Sequence, residues 1–204
     1  MYLPPHFRED RLDVQHALIR ERPLGTLLTA GPAGLLANHV PFLIYPDDGP
    51  LGTLRAHLAR ANPQLAELTG VTECLAIFHG PEDYISPGWY PSKRETGKVV
   101  PTWNFVTVHA WGPPRVIDDV SWLRRQVEDL TDMHEARQPT PWRVEDAPAD
   151  YLATMLNAIV GVEIPIARIE GKWKMSQNRS DSDRAGIRAG LRAQGKDDFA
   201  AAIE

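Results

Sequence analysis

The sequence predicts a mainly-β fold, an antiparallel β-barrel closed fully or in part, with helices on its flanks. Three observations carry this. About seven short apolar runs are separated by turn residues at hairpin spacing. The 18 prolines fall largely between those runs and leave few places for long helices. Strand-like runs rarely alternate with helices of about 10–15 residues, which argues against a doubly wound parallel sheet.

Residues 10–22 read as a first helix, with Asp10 as cap, Val14, Ala17 and Leu18 on its apolar side, and Pro23 past its end. Leu24 to Ala30 is a strand, Gly31 to Gly34 a turn, and Leu35 to Tyr45 a second strand. Pro41 offers no ladder N–H, so that strand must bend or lie at an edge there. After the turn from Pro46 to Pro50, Leu51 to Leu58 is a third strand. Residues 60–69 hold a turn and a short helix. Val71 to Gly80 and Asp83 to Ser86 are further strands, and 87–98 is a loop. Val99 to Trp111 and Pro114 to Ile117 continue the sheet. Residues 119–135 form the clearest helix: Val120, Leu123, Val127 and Leu130 share one face, and Asp119 or Ser121 caps it. A proline-rich connection at 137–148 leads to a short helix at 149–157. Ile159 to Trp173 is strand-like, broken by Pro165 and Gly171. A last helix covers about 182–194, and its two internal glycines weaken it by about 1 kcal/mol each.

At 204 residues the expectation is one domain over 1–204, with a helical C-terminal extension at about 180–204. Cys74 is the single cysteine, so no disulfide framework or cysteine-ligated zinc forms within one chain, in keeping with a reducing compartment. The apolar runs are far shorter than the ~18 residues of a membrane span, and the first ten residues lack a signal pattern. These features predict a soluble, cytoplasmic protein. The net charge of −5 is uneven, because residues 168–196 hold eight Lys/Arg against three Asp/Glu. Global attraction to nucleic acid is not expected, and only that basic segment could provide contact.

Four polar clusters interrupt apolar strands: Asn38-His39; His57, Arg60 and Asn62; residues 84–93 with 101–104; and residues 172–179. Such a set can hold a phosphate through Arg60, Lys93, Lys174 and Arg179. Trp89, Tyr90 and Trp103 can cover a planar heterocycle, and Asn62, Gln177 and Asn178 can meet the mixed donors and acceptors of its edge. Flavin mononucleotide has all three parts. Plainer roles stand beside these. The asparagines can cap turns, the strand histidines His39, His57, His79 and His109 can be structural, and the tryptophans can pack. Lys172 and Lys174 alternate as on one solvated strand face. No G-x-G-x-x-G, Walker-type loop, H-E-x-x-H or G-x-S-x-G is present. Cys74 lies in an apolar strand and reads as a buried, inert thiol.

Taken in order, YLPPHF, ANHVPF, HLARANPQ, AIFHGPEDYISPGWYPSK, VPTWNFVTVHAWG and KMSQNR resemble the PaiB-like FMN-binding negative transcriptional regulators over residues 1 to about 190. The resemblance implies an FMN-binding split barrel, an antiparallel six-stranded Greek-key barrel with flanking helices. It further implies a homodimer with flavin at the subunit interface, and repression of protease and sporulation genes. The matching positions expected near the cofactor are Asn38, His39, His57, Arg60, Asn62, Trp89, Tyr90, Ser92, Lys93, Trp103, Asn104, Lys174, Ser176, Gln177 and Asn178. By analogy with relatives, Arg60, Lys93, Lys174 and Ser176 take the phosphate. Gly88 stands where many members have Ser and removes a hydroxyl from the loop.

The first functional expectation is therefore a flavin-binding regulator. DNA contact through residues 168–196 would use Arg184, Arg188 and Arg192, which recur every four residues, although a solvated helix face is the favoured reading of that stripe. The alternative is an enzyme on the same fold: a flavin-dependent oxidoreductase, or a haem-degrading protein using a histidine ligand. A third reading is a dimeric scaffold with a vestigial cofactor site.

Overall fold

The computed structural model describes Met1–Pro32 and Gly34–Ile203. The tip of the expected GPAG turn at Ala33 and the end of the expected extension at Glu204 lie outside the described residues. The first half of the chain contains β1 (Arg8–Glu9), α1 (Leu12–Glu21), β2 (Leu24–Gly31), β3 (Gly34–Pro41), β4 (Leu43–Tyr45), β5 (Thr53–Ala59), α2 (Gln64–Gly70), β6 (Cys74–Ile85) and α3 (Ser92–Thr96). The second half contains β7 (Thr102–Gly112), β8 (Arg115–Ile117), α4 (Val120–Glu135), α5 (Ala149–Asn157), β9 (Ile159–Pro165), β10 (Arg168–Lys174), α6 (Asp181–Arg192) and α7 (Asp197–Ala201). Backbone pairing gives a six-stranded sheet, β1-β10-β7-β6-β2-β3, and a four-stranded sheet, β4-β5-β9-β8. The mainly-β, antiparallel class with flanking helices holds. Among the described residues, two sheets replace a single closed barrel.

Several boundaries differ from the sequence reading for local reasons. The run Leu35 to Tyr45 is two strands, because β3 ends at Pro41 and β4 begins in the other sheet. The runs on either side of Gly80-Pro81 are one strand, β6. Its ladder with β2 covers Leu75 to Ile77 and ends before the proline, so the missing N–H breaks no β2 pair. Gly171 does not break β10; it is buried and paired with Glu9. Residues 92–96 of the expected loop are helical, with Gly97 closing the turn at φ 67°.

Cα packing divides the chain into two units. The first comprises Met1–Arg11, His79–Val108 and the chain from Glu170 onward. Here β1 pairs with β10, and the N-terminal amine donates to Glu170 at 2.8 Å. Phe7, Ile85, Tyr90, Val106, Ile187 and Leu191 are buried. Ser180 caps α6 by accepting from the Asp183 N–H. The glycines inside α6 have a structural reason, because Trp89 lies against them. A Cβ on Gly190 would sit 2.4 Å from the Trp89 ring, and one on Gly186 would sit 2.1 Å from the Trp89 carbonyl oxygen.

The second unit comprises Leu12–Phe78 and His109–Ile169. Leu27, Phe42, Leu54, Ala56, Phe78, Val162 and Ile164 are buried there, with the Phe42 and Phe78 rings edge-on at 5.6 Å. Asp119 caps α4 by accepting from the Trp122 N–H at 2.6 Å. The buried side of α4 is turned from the predicted one. Leu123 is 0% exposed, Val120 is 53% exposed, and Gln126 is buried because its amide meets His57 on β5. Burial pushes the Cys74 thiol up to about 12, as expected of an inert core cysteine. Among the described residues no helix is long and apolar enough to cross a membrane.

Candidate functional site

In the first unit, the end of β10 and the turn after it face the start of β7. Lys174 Nζ donates to Thr102 Oγ1 at 2.5 Å and to the Trp103 carbonyl oxygen, which leaves one of its three N–H groups over. Burial holds the Lys174 ammonium below the ordinary lysine value, and the nearby charges of Lys172 and Arg179 act the same way. Ser176 follows in the left-handed region at φ 66°, a conformation that costs a non-glycine residue on the order of 1–3 kcal/mol. In that conformation its Oγ donates to Asn104 Oδ1 at 3.0 Å. Asn104 is 1% exposed, and its Nδ2 has no hydrogen-bond partner. A buried amide N–H left unpaired costs about 1–3 kcal/mol, so this position calls for an acceptor.

These groups line a cavity of ≈100 Å³ together with Phe7, Asn178 and Arg179. Arg179 also lies 4.9 Å over the Tyr90 ring, where burial raises the tyrosine hydroxyl above its ordinary value. The cavity offers two cations, two hydroxyls and two amides, with no carboxylate on its wall among the described residues. Its volume is roughly that of three waters and well below the ~300 Å³ at which pockets for whole drug-sized ligands begin. It fits a phosphate-sized anion and is too small for a flavin ring.

The other expected residues of this unit have defined partners. Ser92 donates through its backbone N–H and Oγ to Asp183. Gln177 ties the turn by accepting from the Met175 N–H and donating to the Trp173 carbonyl. Lys93 lies exposed on α3. Trp103 is 54% exposed and edge-on to Tyr84 at 6.2 Å, while Trp89 packs on the α6 glycines.

The remaining expected residues belong to the second unit. Asn38 Nδ2 donates to Gln64 Oε1, and the Gln64 amide donates in turn to the Leu27 carbonyl. Asn62 Oδ1 accepts from the Gln64 N–H in the turn that leads into α2, whose N-cap is Pro63. His39 Nδ1 pairs with Thr26 Oγ1 at 3.1 Å, and His57 Nδ1 with Gln126 Oε1 at 2.7 Å. Arg60 donates twice to the Asp118 carboxylate, at 2.8 and 2.6 Å, and also to the Asn157 and Ile159 carbonyls. The bond from Arg60 holds the Asp118 carboxyl below its ordinary range.

Phe7 and Thr102 line the cavity but are absent from the expected set. Both sit inside the quoted strings, YLPPHF and VPTWNF, and Arg179 ends KMSQNR. Position within a motif was the available signal. Gln64, which holds Asn38, ends the string HLARANPQ, whereas Gln126, which holds His57, sits in a stretch that reads as an ordinary helix.

A family model described as "Putative FMN-binding domain" matches residues 1–168. The chain belongs to this FMN-binding domain family. An uncharacterised protein of Emericella nidulans is 36% identical, over 97% of this chain and 92% of its own length. The Bacillus subtilis protein named Protease synthase and sporulation protein PAI 2, a PaiB homologue, is 28% identical, over 90% of this chain and 85% of its own. Among solved structures, the FAD and heme binding protein of Mycobacterium smegmatis superposes with a TM-score of 0.61 at 16% identity, covering 87% of this chain and 78% of that one. The FMN-binding family that the sequence motifs imply is thus found, and the solved structure shares the fold.

Proposed function

We propose that this FMN-binding family member holds the flavin phosphate in the cavity of Asn104, Lys174, Ser176 and Arg179. The carrying observation is the unpaired Asn104 Nδ2, buried beside two cations in a cavity of phosphate size. The spare N–H of Lys174 and the Arg179 guanidinium balance a phosphate dianion, and Asn104 Nδ2 supplies a neutral donor. Bound FMN brings redox-active ring chemistry; the residues described here bind and orient its phosphate. The ring extends beyond so small a cavity, and exposed Trp103 and Tyr84 offer aromatic surface to it. A second copy of the chain completes the enclosure in this reading, with Trp89, Tyr90, Ser92, Lys93, Gln177 and Asn178 shaping the same unit. Arg60 could serve a phosphate only by giving up its two bonds to Asp118. It therefore ranks behind Lys174, and the roles of Asn38, His39, His57 and Asn62 are carried by the family resemblance alone.

The likeness to the PAI 2 protein supports a PaiB-type regulatory role, and the short apolar runs and single cysteine favour the cytoplasm. On the α6 stripe considered for DNA contact, Arg184 pairs with Asp181 and part-buried Arg188 donates to the Ile203 carbonyl, so Arg192 is the exposed arginine of the three. The likeness to an FAD- and haem-binding protein favours a second reading, a redox enzyme on the same fold. Titration of the purified protein with FMN, riboflavin and haem, followed by absorbance, tests both. Saturable FMN binding that riboflavin does not match supports the phosphate site. Equal affinity for riboflavin, or no flavin uptake, overturns it. A haem spectrum with NAD(P)H-driven turnover favours the enzyme. Size-exclusion chromatography with light scattering reads the dimer, and a mobility shift on the protein's own promoter at low salt reads direct DNA binding.

A further inference from the structure

In the second unit, one face of α4 presents Trp122, Arg125, Gln126 and Asp129, at spacings of three and four residues. With Tyr45 of β4 and Arg55 of β5 these residues line a cavity of ≈260 Å³. None of them belongs to the expected cofactor set. The walls are aromatic and planar. The Arg55 guanidinium lies 4.2 Å from the Tyr45 ring centroid and 6.0 Å from that of Trp122. Trp122 is wedged against β9, where a Cβ on Gly161 would come within 2.3 Å of its ring. Arg55 is held by Glu163 at 2.9 Å and Asp48 at 2.8 Å, so its plane is fixed.

The polar groups are specific. Gln126 is 2% exposed; its Oε1 is taken by His57 Nδ1, and its Nε2 has no partner. Asp129 accepts from the Tyr45 hydroxyl and keeps lone pairs for a second donor. Burial, and then the bond to Asp129, pushes the Tyr45 hydroxyl up to about 12, so it stays a neutral donor. Arg55 is matched by Glu163 and Asp48, and Arg125 and Asp129 carry opposite charges on the same helix face. A strongly charged ligand would meet opposition from one of that pair. A neutral ring would stack on the aromatic and guanidinium planes.

We infer that this cavity binds a small, neutral, planar heterocycle whose edge carries a carbonyl beside an N–H, the carbonyl accepting from Gln126 Nε2 and the N–H donating to Asp129. This site is independent of the flavin-phosphate reading.

The probe is lumazine, a bicyclic ring with an imide edge, and its control is 1,3-dimethyllumazine, which lacks the imide N–H. Both are titrated into the full chain by calorimetry at neutral pH. The expected result is saturable lumazine binding, weakened at least about tenfold for the dimethyl compound and in Gln126→Met, the loss of one hydrogen bond to a buried partner. Gln126→Glu keeps an acceptor for His57 and loses the donor, so it is expected to weaken lumazine as well. It decides the matter if the Met variant does not fold. Absence of saturable binding, equal affinity for the dimethyl compound, or undiminished affinity in a folded Gln126 variant overturns the inference.

Discussion

Ser176 Oγ donates to Asn104 Oδ1 across 3.0 Å, joining residues 72 apart in the chain. The bond orients the Asn104 amide, because the oxygen end is used and the Nδ2 end remains as the donor without a partner. The left-handed backbone at Ser176 is what brings the hydroxyl into reach. Strain there has a purpose if the amide serves an anion.

Lys174→Ala is expected to weaken FMN by about 1.5–3 kcal/mol, or roughly 10- to 150-fold in Kd, the cost of losing a charge-assisted bond to phosphate. Riboflavin, which lacks the phosphate, is expected to bind the variant and the parent alike. Parallel fluorescence titrations check this. A loss of equal size for both flavins would mean that Lys174 acts by shaping the turn.

FMN affinity is expected to fall at alkaline pH, starting below the pH at which an ordinary lysine titrates. The cause is burial, which lowers the Lys174 value from 10.5, with Lys172 and Arg179 adding to it. A bound dianion pulls that value back up, so the fall follows the free protein's value and the affinity difference is largest above it. Stability of the free chain has the opposite sign. Between the lowered folded value and 10.5 the unfolded chain holds more protons at this group, so its contribution improves as pH rises. Lys174→Arg keeps the charge throughout and is expected to flatten the alkaline fall. Kd measured from pH 7 to 10 in both proteins reads the difference.

Gly190→Ala is expected to destabilise the protein by about 1–3 kcal/mol, against the gain of about 1 kcal/mol that the same change brings in an open helix. The added Cβ would meet the Trp89 ring at 2.4 Å. Removing that ring with Trp89→Ala is expected to reverse the sign for Gly190→Ala. Gly186→Ala is expected to stay destabilising in both backgrounds, since its Cβ meets the Trp89 backbone oxygen at 2.1 Å. Thermal melts of the two glycine variants in the parent and Trp89→Ala backgrounds, each against its own background, decide whether the glycines are there for Trp89.

Much of this was readable along the chain, and the misses share a cause. The α4 cap, narrowed by the sequence to Asp119 or Ser121 and found at Asp119, and the span of α5 depend on neighbours a few residues away. The continuity of β6 through Pro81 depends on where β2 stops pairing, which no local pattern records. Val120 looks like core by spacing, yet Gln126 takes the buried side because His57, 69 residues earlier, offers it a hydrogen bond. The cavity shows the same limit. KMSQNR and VPTWN were conspicuous as strings, but that Lys174 would reach Thr102 and Ser176 would reach Asn104 depends on strand pairing and a single left-handed residue.

The orientation of α4 gives the sharpest stability contrast. Leu123 is 0% exposed, so Leu123→Ala is expected to cost about 2–5 kcal/mol through lost burial and the cavity left behind. Val120 lies on the same face by sequence spacing but is 53% exposed, so Val120→Ala is expected to fall within about 0.5 kcal/mol of the parent. Neither side chain lines the Lys174 cavity, so FMN affinity in folded Leu123→Ala is expected to match the parent. Urea melts of both variants check the contrast through the midpoint at constant slope. Equal losses at the two positions would show that α4 is rotated back toward the face its periodicity predicts, and Gln126 would then no longer reach His57.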